Sequence, residues 1–240
     1  MLARNIQALA KTTMDTYRKI LLLLKYLLHK SDNANWEEWI DKDIYEWDTS
    51  NSTSHHKSAF GGMGSINDLS VGAQGKIGTW ENNMFDFLKN ISWTFAAKNK
   101  IQFPVKTSDR IEGTICRDCS CAGISESGIE RYLSNRHLPA IIASLLLTDQ
   151  YSRLTDIEAL TNNVEVAEDR QKILAALTRI NIHFTKTDNW WNTCPDCNST
   201  NTCVYVWTIA NSGDTLDLIP GKNNLPVKKT SWWRRLKMRL

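Results

Sequence analysis

The residues of this sequence that are best suited to chemistry are its cysteines. Six occur, in two short groups: Cys116, Cys119 and Cys121, then Cys194, Cys197 and Cys203. Each group contains a C-x2-C pair, CRDC and CPDC, and the two thiolates of such a pair can reach one cation. Two pairs complete a tetrahedral zinc site with Zn–S bonds of about 2.3 Å. We therefore predict that Cys116, Cys119, Cys194 and Cys197 bind one Zn2+ ion.

The predicted role of this zinc ion is structural, because four thiolates leave no open coordination position. Three alternatives stay open. One is a site in which Cys121, Cys203 or His183 replaces one of the four ligands. The second is a redox dithiol, although neither pair opens a helix after a strand of the expected kind. In the third, the cysteines are reduced without a metal or form disulfides, which a reducing cytoplasm disfavours.

Enzymatic motifs receive little support, and we expect no catalytic residues. A zinc deaminase is excluded because the chain contains no H-x-E sequence. The stretch FGGMGSINDL, residues 60–69, is rich in glycine but lacks the G-x-x-x-x-G-K-[ST] phosphate-binding pattern. We interpret it as a short structural turn in which Ser65 and Asp68 form a capping box. Apolar residues at every third position are expected to anchor it in the core: Phe60, Met63, Ile66 and Leu69. An enzyme whose site forms around residues 61–68 is the third and lowest hypothesis for function.

The net charge of +3 conceals an uneven distribution. Residues 228–240 contain no acid, and their candidate nucleic-acid or partner-binding residues are Lys228, Lys229, Trp232, Trp233, Arg234, Arg235, Lys237 and Arg239. The positive charges suit phosphates, and the two indoles suit stacking on bases. The same composition also suits docking on a protein or on an anionic membrane surface.

The N-terminal charges favour two helices that pack on each other. Apolar residues at a 3.6-residue period predict a basic helix over residues 3–29, and a tryptophan-rich acidic helix follows over residues 36–48. Glu37, Glu38 and Asp41 form a candidate acidic partner face on that second helix. The alternative hypothesis for function is therefore an antitoxin-like or immunity-like inhibitor, in a defence or toxin system, that covers a basic surface.

The pattern F-G-G-M-G-S-x-N-D after a tryptophan-containing helix resembles an uncharacterised bacterial domain family. The resemblance covers about residues 15–75. It implies a bacterial source and supplies no catalytic residues.

The second half of the chain predicts several helices followed by a hairpin. Pro139 is expected to open one of these helices, and Ser212-Gly213-Asp214 to form the hairpin turn. The segments LTDIEAL and EDRQKILAAL beside a C-P-x-C pair resemble the winged-helix and zinc-ribbon pairing of an archaeal and eukaryotic transcription initiation factor subunit. The expected fold is mainly α (α+β). It comprises a helical domain over residues 1–100, a winged-helix-like domain with a zinc knuckle over 105–226, and a basic tail over 227–240.

Together these features predict a non-enzymatic, zinc-stabilised protein that binds a macromolecule. Another protein is the first expected partner, and nucleic acid bound through the basic tail is the second. The apolar stretch ILLLLKYLL is too short for a membrane span and is interrupted by Lys25. It also lies too far into the chain for a secretory signal. We expect a cytoplasmic protein without a transmembrane segment.

Overall fold

The computed structural model describes residues 2–72, 77–103, 109–186, 193–212 and 215–221. The chain forms two compact units, Met1–Thr107 with His137–Asn162, and Ser108–Arg136 with Asn163–Leu240. The first unit is helical, and the second contains a five-stranded sheet. The expected outline, a helical N-terminal region before a mixed C-terminal region, is confirmed. Residues 137–162 lie in the first unit although their range was predicted for the second domain; the domain bounds themselves stay a prediction.

The N-terminal part of the first unit consists of four helices and one short 3-10 turn. They are α1 (Leu2–Lys30), α2 (Ala34–Ser50), α3 (Ser54–Ser58), the turn Ile66–Asp68 and α4 (Thr79–Lys98). Helix α1 packs against both α2 and α4. The predicted apolar stripe of α1 is buried along the part whose side chains are described, including Ile20, Leu21, Leu24, Leu27 and Leu28. At its start Tyr17 stacks on Phe95 with ring centroids 4.3 Å apart, which ties α1 to α4.

The predicted packing of the basic first helix on the acidic second helix is confirmed. Three ion pairs join α1 to α2: Arg18 with Asp48, Lys25 with Asp41, and His29 with Glu37. Along these three pairs the residue number in α1 increases while that in α2 decreases, so the two helices run antiparallel. The Arg18 guanidinium donates two hydrogen bonds to Asp48, of 2.7 and 2.9 Å, and these lower the pKa of the Asp48 carboxyl group. The opposite charges of the two segments therefore pair with each other within the chain.

Helix α5 (Glu126–Leu147) is one continuous helix that belongs to both units. The sequence predicted two helices here, with Pro139 opening the second, but Pro139 lies inside the helix. A proline removes one backbone hydrogen bond and does not by itself set a boundary. Buried apolar side chains occur on both sides of it, Ile129 and Leu133 before and Leu138 and Ile142 after, so burial favours continuation. A 3-10 turn (Tyr151–Thr155), α6 (Ile157–Thr161) and α7 (Val164–Arg179) follow.

The sheet of the second unit has the order β3-β2-β1-β4-β5. Its strands are β1 (Arg110–Cys116), β2 (Ala122–Ser125), β3 (His183–Thr185), β4 (Thr202–Ser212) and β5 (Thr215–Pro220). The pairings β1–β2, β1–β4 and β4–β5 are antiparallel, and β2–β3 is parallel. The hairpin of β4 and β5 was predicted, whereas β1 and β2 were missed. The structure does not confirm the winged-helix resemblance, because this hairpin is part of a larger sheet in which β4 pairs along the whole of β1.

Gly113 in the middle of β1 is expected to tolerate no side chain. An added Cβ would lie 2.3 Å from the Gly123 carbonyl oxygen and 2.6 Å from the Trp207 ring, both of which are held by the sheet. Gly113→Ala should destabilise the second unit by about 3 kcal/mol, the upper end of the usual cost of overpacking. The measurement is urea unfolding followed by hydrogen exchange in peptides from that unit. Gly61→Ala is the matched control, since its Cβ would meet nothing within 4 Å; equal stability losses would contradict the prediction.

Candidate metal centre

The first cysteine pair lies in a tight loop between β1 and β2. The backbone N–H of Cys116 donates to the Cys121 carbonyl oxygen at 2.8 Å, and the N–H of Ser120 donates to the Cys116 carbonyl oxygen at 2.9 Å. Ser120 has a left-handed backbone, with φ of 64°. The residue after the second cysteine of the pair therefore reverses the chain direction.

The second cysteine pair, just before β4, repeats this loop at the same offsets. The N–H of Cys194 donates to the Ser199 carbonyl oxygen at 2.8 Å, and the N–H of Asn198 donates to the Cys194 carbonyl oxygen at 2.9 Å. Asn198 is also left-handed, with φ of 57°, a conformation that asparagine adopts more readily than most residues. Two segments distant in sequence thus form the same local structure, which we call knuckle 1 (residues 116–121) and knuckle 2 (residues 194–199).

The two knuckles bring their four thiols together. The Sγ atoms of Cys116 and Cys197 are 3.6 Å apart, and those of Cys119 and Cys194 are 3.4 Å apart. All four Sγ atoms lie within 4.8 Å of one another. On a tetrahedral ion with bonds of about 2.3 Å, neighbouring sulfurs are about 3.8 Å apart. The four cysteines therefore lie close together in an arrangement that fits the ligands of one metal ion.

The sheet and a few side chains hold the knuckles in place. Antiparallel pairing of β1 and β4 sets Cys116 opposite Thr202, so knuckle 1 leaves the sheet beside the end of knuckle 2. The Asp118 carboxylate accepts hydrogen bonds from the Ser199 hydroxyl at 2.5 Å and the Asn201 amide at 2.8 Å. Asp118 thus joins the two loops directly. The ligand positions are fixed by backbone pairing as well as by any metal.

The ionisation of the thiols is uneven. Burial raises the pKa of Cys194, but hydrogen bonds from the backbone N–H groups of Cys197 and Asp196 oppose this and lower it to about 7. Burial raises the pKa of Cys119 well above its usual range. A metal ligand must be a thiolate, so binding an ion here releases protons. Because the raised pKa of Cys119 keeps that thiol protonated at neutral pH, affinity for the ion is expected to fall already as the pH falls from above 7, and to fall further below 7 as Cys194 is protonated.

The other cysteines and His183 do not join this group. Cys121 and His183 lie with Asp196 in a second group whose donor atoms are also within 4.8 Å of one another. Within the described part of the chain, Cys203 belongs to neither group. Asp196 was missed from sequence, although its place between Cys194 and Cys197 gave a signal. It faces residues from two other elements, which spacing alone does not reveal.

The predicted acidic partner face is engaged within the chain. Asp41 pairs with Lys25 at 2.7 Å, Glu37 with His29 at 3.1 Å, and Glu38 with Lys42 at 2.9 Å. Two of these pairs hold α2 to α1. The side chains of Asp41 and Glu38 are half or more exposed, so these contacts contribute little to stability.

The glycine-rich loop forms the predicted structural turn. Ser65 caps the 3-10 turn, and the capping box with Asp68 is confirmed. The Asp68 carboxylate accepts from the N–H groups of Gly64 and Ser65 at 2.9 and 3.2 Å. Of the residues predicted to anchor the turn in the core, Ile66 is fully buried, whereas the prediction for Met63 is wrong, since its side chain is fully exposed. Gly62 and Gly64 on either side have positive φ angles, which turn the intervening residue outward.

A buried cluster of hydrogen-bonded side chains in the first unit was also missed from sequence. The Asp43 carboxylate is fully buried and accepts from Nδ1 of His55 at 2.5 Å and from Nδ1 of His56 at 2.6 Å. Nε2 of His56 lies 3.0 Å from the Ser92 hydroxyl, which itself donates to the Lys89 carbonyl oxygen. Both nitrogens of His56 therefore lie within hydrogen-bonding distance of an oxygen atom, of Asp43 on one side and of Ser92 on the other. Ser92 is fully buried, so the chain Ser92–His56–Asp43 cannot meet a substrate.

The predicted basic tail, residues 228–240, lies outside the described residues. A search of the described helices finds none that is both long and apolar enough to span a membrane. The expectation that no transmembrane segment is present is consistent with that finding.

Comparison with known proteins adds one family. No curated protein and no solved structure matches the chain. A family model described as a domain of unknown function, DUF6966, matches residues 29–79. The matched segment begins at the end of α1 and contains α2, α3 and the glycine-rich loop. The match places residues 29–79, which lie within the first unit, in an uncharacterised domain family. It does not show that the loop motif is a signature of that family. The cysteines lie outside the matched residues.

Proposed function

We propose that this protein is a non-enzymatic binding protein whose second unit is stabilised by one structural zinc ion. The observation that carries the proposal is the meeting of four thiols from two equivalent knuckles. Zinc is the ion that four tetrahedral thiolates select most commonly in proteins of this kind. Because all four positions are filled by protein, the ion holds structure and leaves no position for a substrate.

The position of the site supports the proposed stabilising role. Knuckle 1 follows β1, knuckle 2 precedes β4, and these two strands pair side by side in the sheet. The segment between the knuckles contains β2, α5, α6, α7 and β3. A metal ion would therefore close this long insertion at its base and fix the start of β4 against the end of β1.

The binding role rests on charge and on composition. Residues 228–240 carry six basic residues, two tryptophans and no acid, which suits a polyanion or an acidic protein surface. Protein binding is the first role we propose, with nucleic acid bound through the tail as the second, in the cytoplasm. This proposal requires no winged helix.

The alternative of an inhibitor that acts through α2 has less support. Lys25 and His29 of α1 already pair with Asp41 and Glu37. A basic partner would have to displace these contacts. Among the described residues, Glu38 pairs with its helix neighbour Lys42, which makes it the most available acid of the three.

The proposed role of the tail is tested by titrating zinc-loaded protein into labelled duplex and single-stranded DNA at two salt concentrations. We expect binding that weakens steeply with salt and is lost when residues 228–240 are deleted, because each neutralised phosphate releases a counterion. A variant in which the six basic residues become glutamine, with both tryptophans kept, separates charge from stacking. Unchanged binding by the deleted chain, or none by the folded full chain, would contradict nucleic-acid binding through the tail.

A further inference from the structure

Three further metal-ligand types meet beside the four-thiol centre. Cys121 ends knuckle 1, Asp196 lies within knuckle 2, and His183 opens β3. One donor atom from each lies within 4.8 Å of the others. None of the three belongs to the four-thiol group, which is complete without them.

Each donor is held by backbone that the sheet or a knuckle fixes. The Cys121 carbonyl oxygen accepts from the Cys116 N–H at 2.8 Å, which closes knuckle 1. His183 is paired with Gly123, two residues after Cys121, in the parallel ladder of β2 and β3. Asp196 is held between two cysteines of knuckle 2. The backbone of the fold therefore brings the three donor atoms together, and their proximity does not depend on long mobile side chains alone.

The separation of His183 and Asp196 suits two ligands of one ion. Nε2 of His183 lies 3.4 Å from Oδ1 of Asp196. This is longer than the usual 2.7–3.2 Å of an N–H···O hydrogen bond. Two ligands at about 2.1 Å on a tetrahedral zinc ion are about 3.4 Å apart. The distance therefore equals the one that a common metal ion would impose.

We infer that Cys121, His183 and Asp196 form a second metal site, which binds a divalent transition metal ion such as Zn2+ or Co2+. Sulfur, imidazole nitrogen and carboxylate oxygen are all ligands of these ions. The cysteine is buried, whereas the histidine and aspartate side chains are about half exposed, 47% and 51%. Three protein ligands with an exposed side leave the fourth position to water.

Electrostatics favour this second ion. A zinc ion with four thiolates carries two more negative than positive charges, and the second site lies directly beside it. The thiolate and the carboxylate of the second site add two further negative charges beside it. A divalent cation there neutralises these two charges and is attracted by the first centre at short range, where attraction is strongest.

The two sites differ in what they can do. The four-thiol site is closed, whereas a three-ligand site with bound water is the arrangement in which zinc exchanges ligands and activates water. We expect the second ion to be held less tightly and to exchange first. Its open position would accept an anionic or imidazole ligand in place of water.

The test is titration of the metal-free full-length chain with Co2+, with stoichiometry read by native mass spectrometry and ligands by absorption of the sulfur-to-cobalt bands. Wild type should bind two ions per chain, and the second should be removed first by a chelator. His183→Ala and Asp196→Asn should each bind one. Cys203→Ala and His29→Ala are matched controls outside both groups and should still bind two.

Three results would overturn this inference. They are saturation of the folded wild type at one ion, retention of two ions by His183→Ala, or loss of the second ion in the Cys203→Ala control. Asp196→Asn keeps the size of an exposed side chain, so it answers the question even if other variants unfold. Binding of one ion that depends on Cys194 but not on His183 would reject the second site and leave the proposed structural zinc intact.

Discussion

Cys194→Ser is expected to release the structural metal and unfold the second unit. Cys194 is fully buried, and its backbone begins knuckle 2. Serine offers a poor ligand, so the variant loses one of four bonds and leaves three thiols crowded around no ion. Structural zinc sites contribute about 10–16 kcal/mol of binding free energy in small zinc peptides at neutral pH. A folded domain is stable by only about 5–15 kcal/mol, so loss of the ion is expected to cost the fold of this unit.

Cys203→Ser is the matched control for that variant. Cys203 lies in β4 opposite Ile115, close in sequence to knuckle 2 but outside both ligand groups. Metal content by mass spectrometry and hydrogen exchange of β1, β4 and β5 should match wild type in Cys203→Ser and be lost in Cys194→Ser. Retention of both metal and protection in Cys194→Ser would contradict a structural role for the site.

Asp43→Ala is expected to give the largest loss of stability in the first unit. The substitution removes the carboxylate that both the buried His56 imidazole and the His55 imidazole contact. Leaving a buried hydrogen-bonding group without its partner typically costs about 1–3 kcal/mol, and here two imidazoles lose a partner. Urea unfolding, followed by hydrogen exchange in peptides of α2, α3 and α4, measures the change for this unit alone.

Asp41→Ala is the control for this second substitution, since it removes the same type of residue from the same helix. Asp41 is half exposed and pairs with Lys25 at the surface, so its loss should cost no more than about 1 kcal/mol. Ser92→Ala tests the far end of the cluster and should cost about 1–3 kcal/mol, because Nε2 of the buried His56 then loses its hydrogen-bond partner. Equal effects of Asp43→Ala and Asp41→Ala would contradict the stabilising role of the buried cluster.

The features predicted from sequence were those encoded by short local patterns. The C-x2-C pairs, the apolar stripe of α1 and the capping box of Ser65 and Asp68 each lie within a few residues or one helix. The packing of α1 on α2 was predicted because their opposite charges are also read locally. Each of these patterns has one common structural solution, so neighbouring residues were sufficient.

The missed features depend on residues that are distant in sequence. Strand β2 has only four residues, all buried, so it shows no alternation of polar and apolar positions. The partners of His56 lie 13 and 36 residues away along the chain, and a histidine pair in a polar segment gave no sign of them. The group of Cys121, His183 and Asp196 is brought together by the parallel pairing of β2 and β3, which the sequence alone does not reveal. Pro139 predicts the start of a helix, whereas the buried apolar residues on both sides of it favour one continuous helix.

The central claim, a structural zinc ion bound by four thiolates, is tested most directly by X-ray absorption at the zinc edge. The full-length chain would be loaded with just under one equivalent of zinc, so that the tighter site fills first. We predict four sulfur neighbours at about 2.3 Å, together with resistance to chelators that remove weakly bound zinc. A folded chain that retains no zinc, or a zinc ion bound mainly by nitrogen and oxygen, would contradict the account.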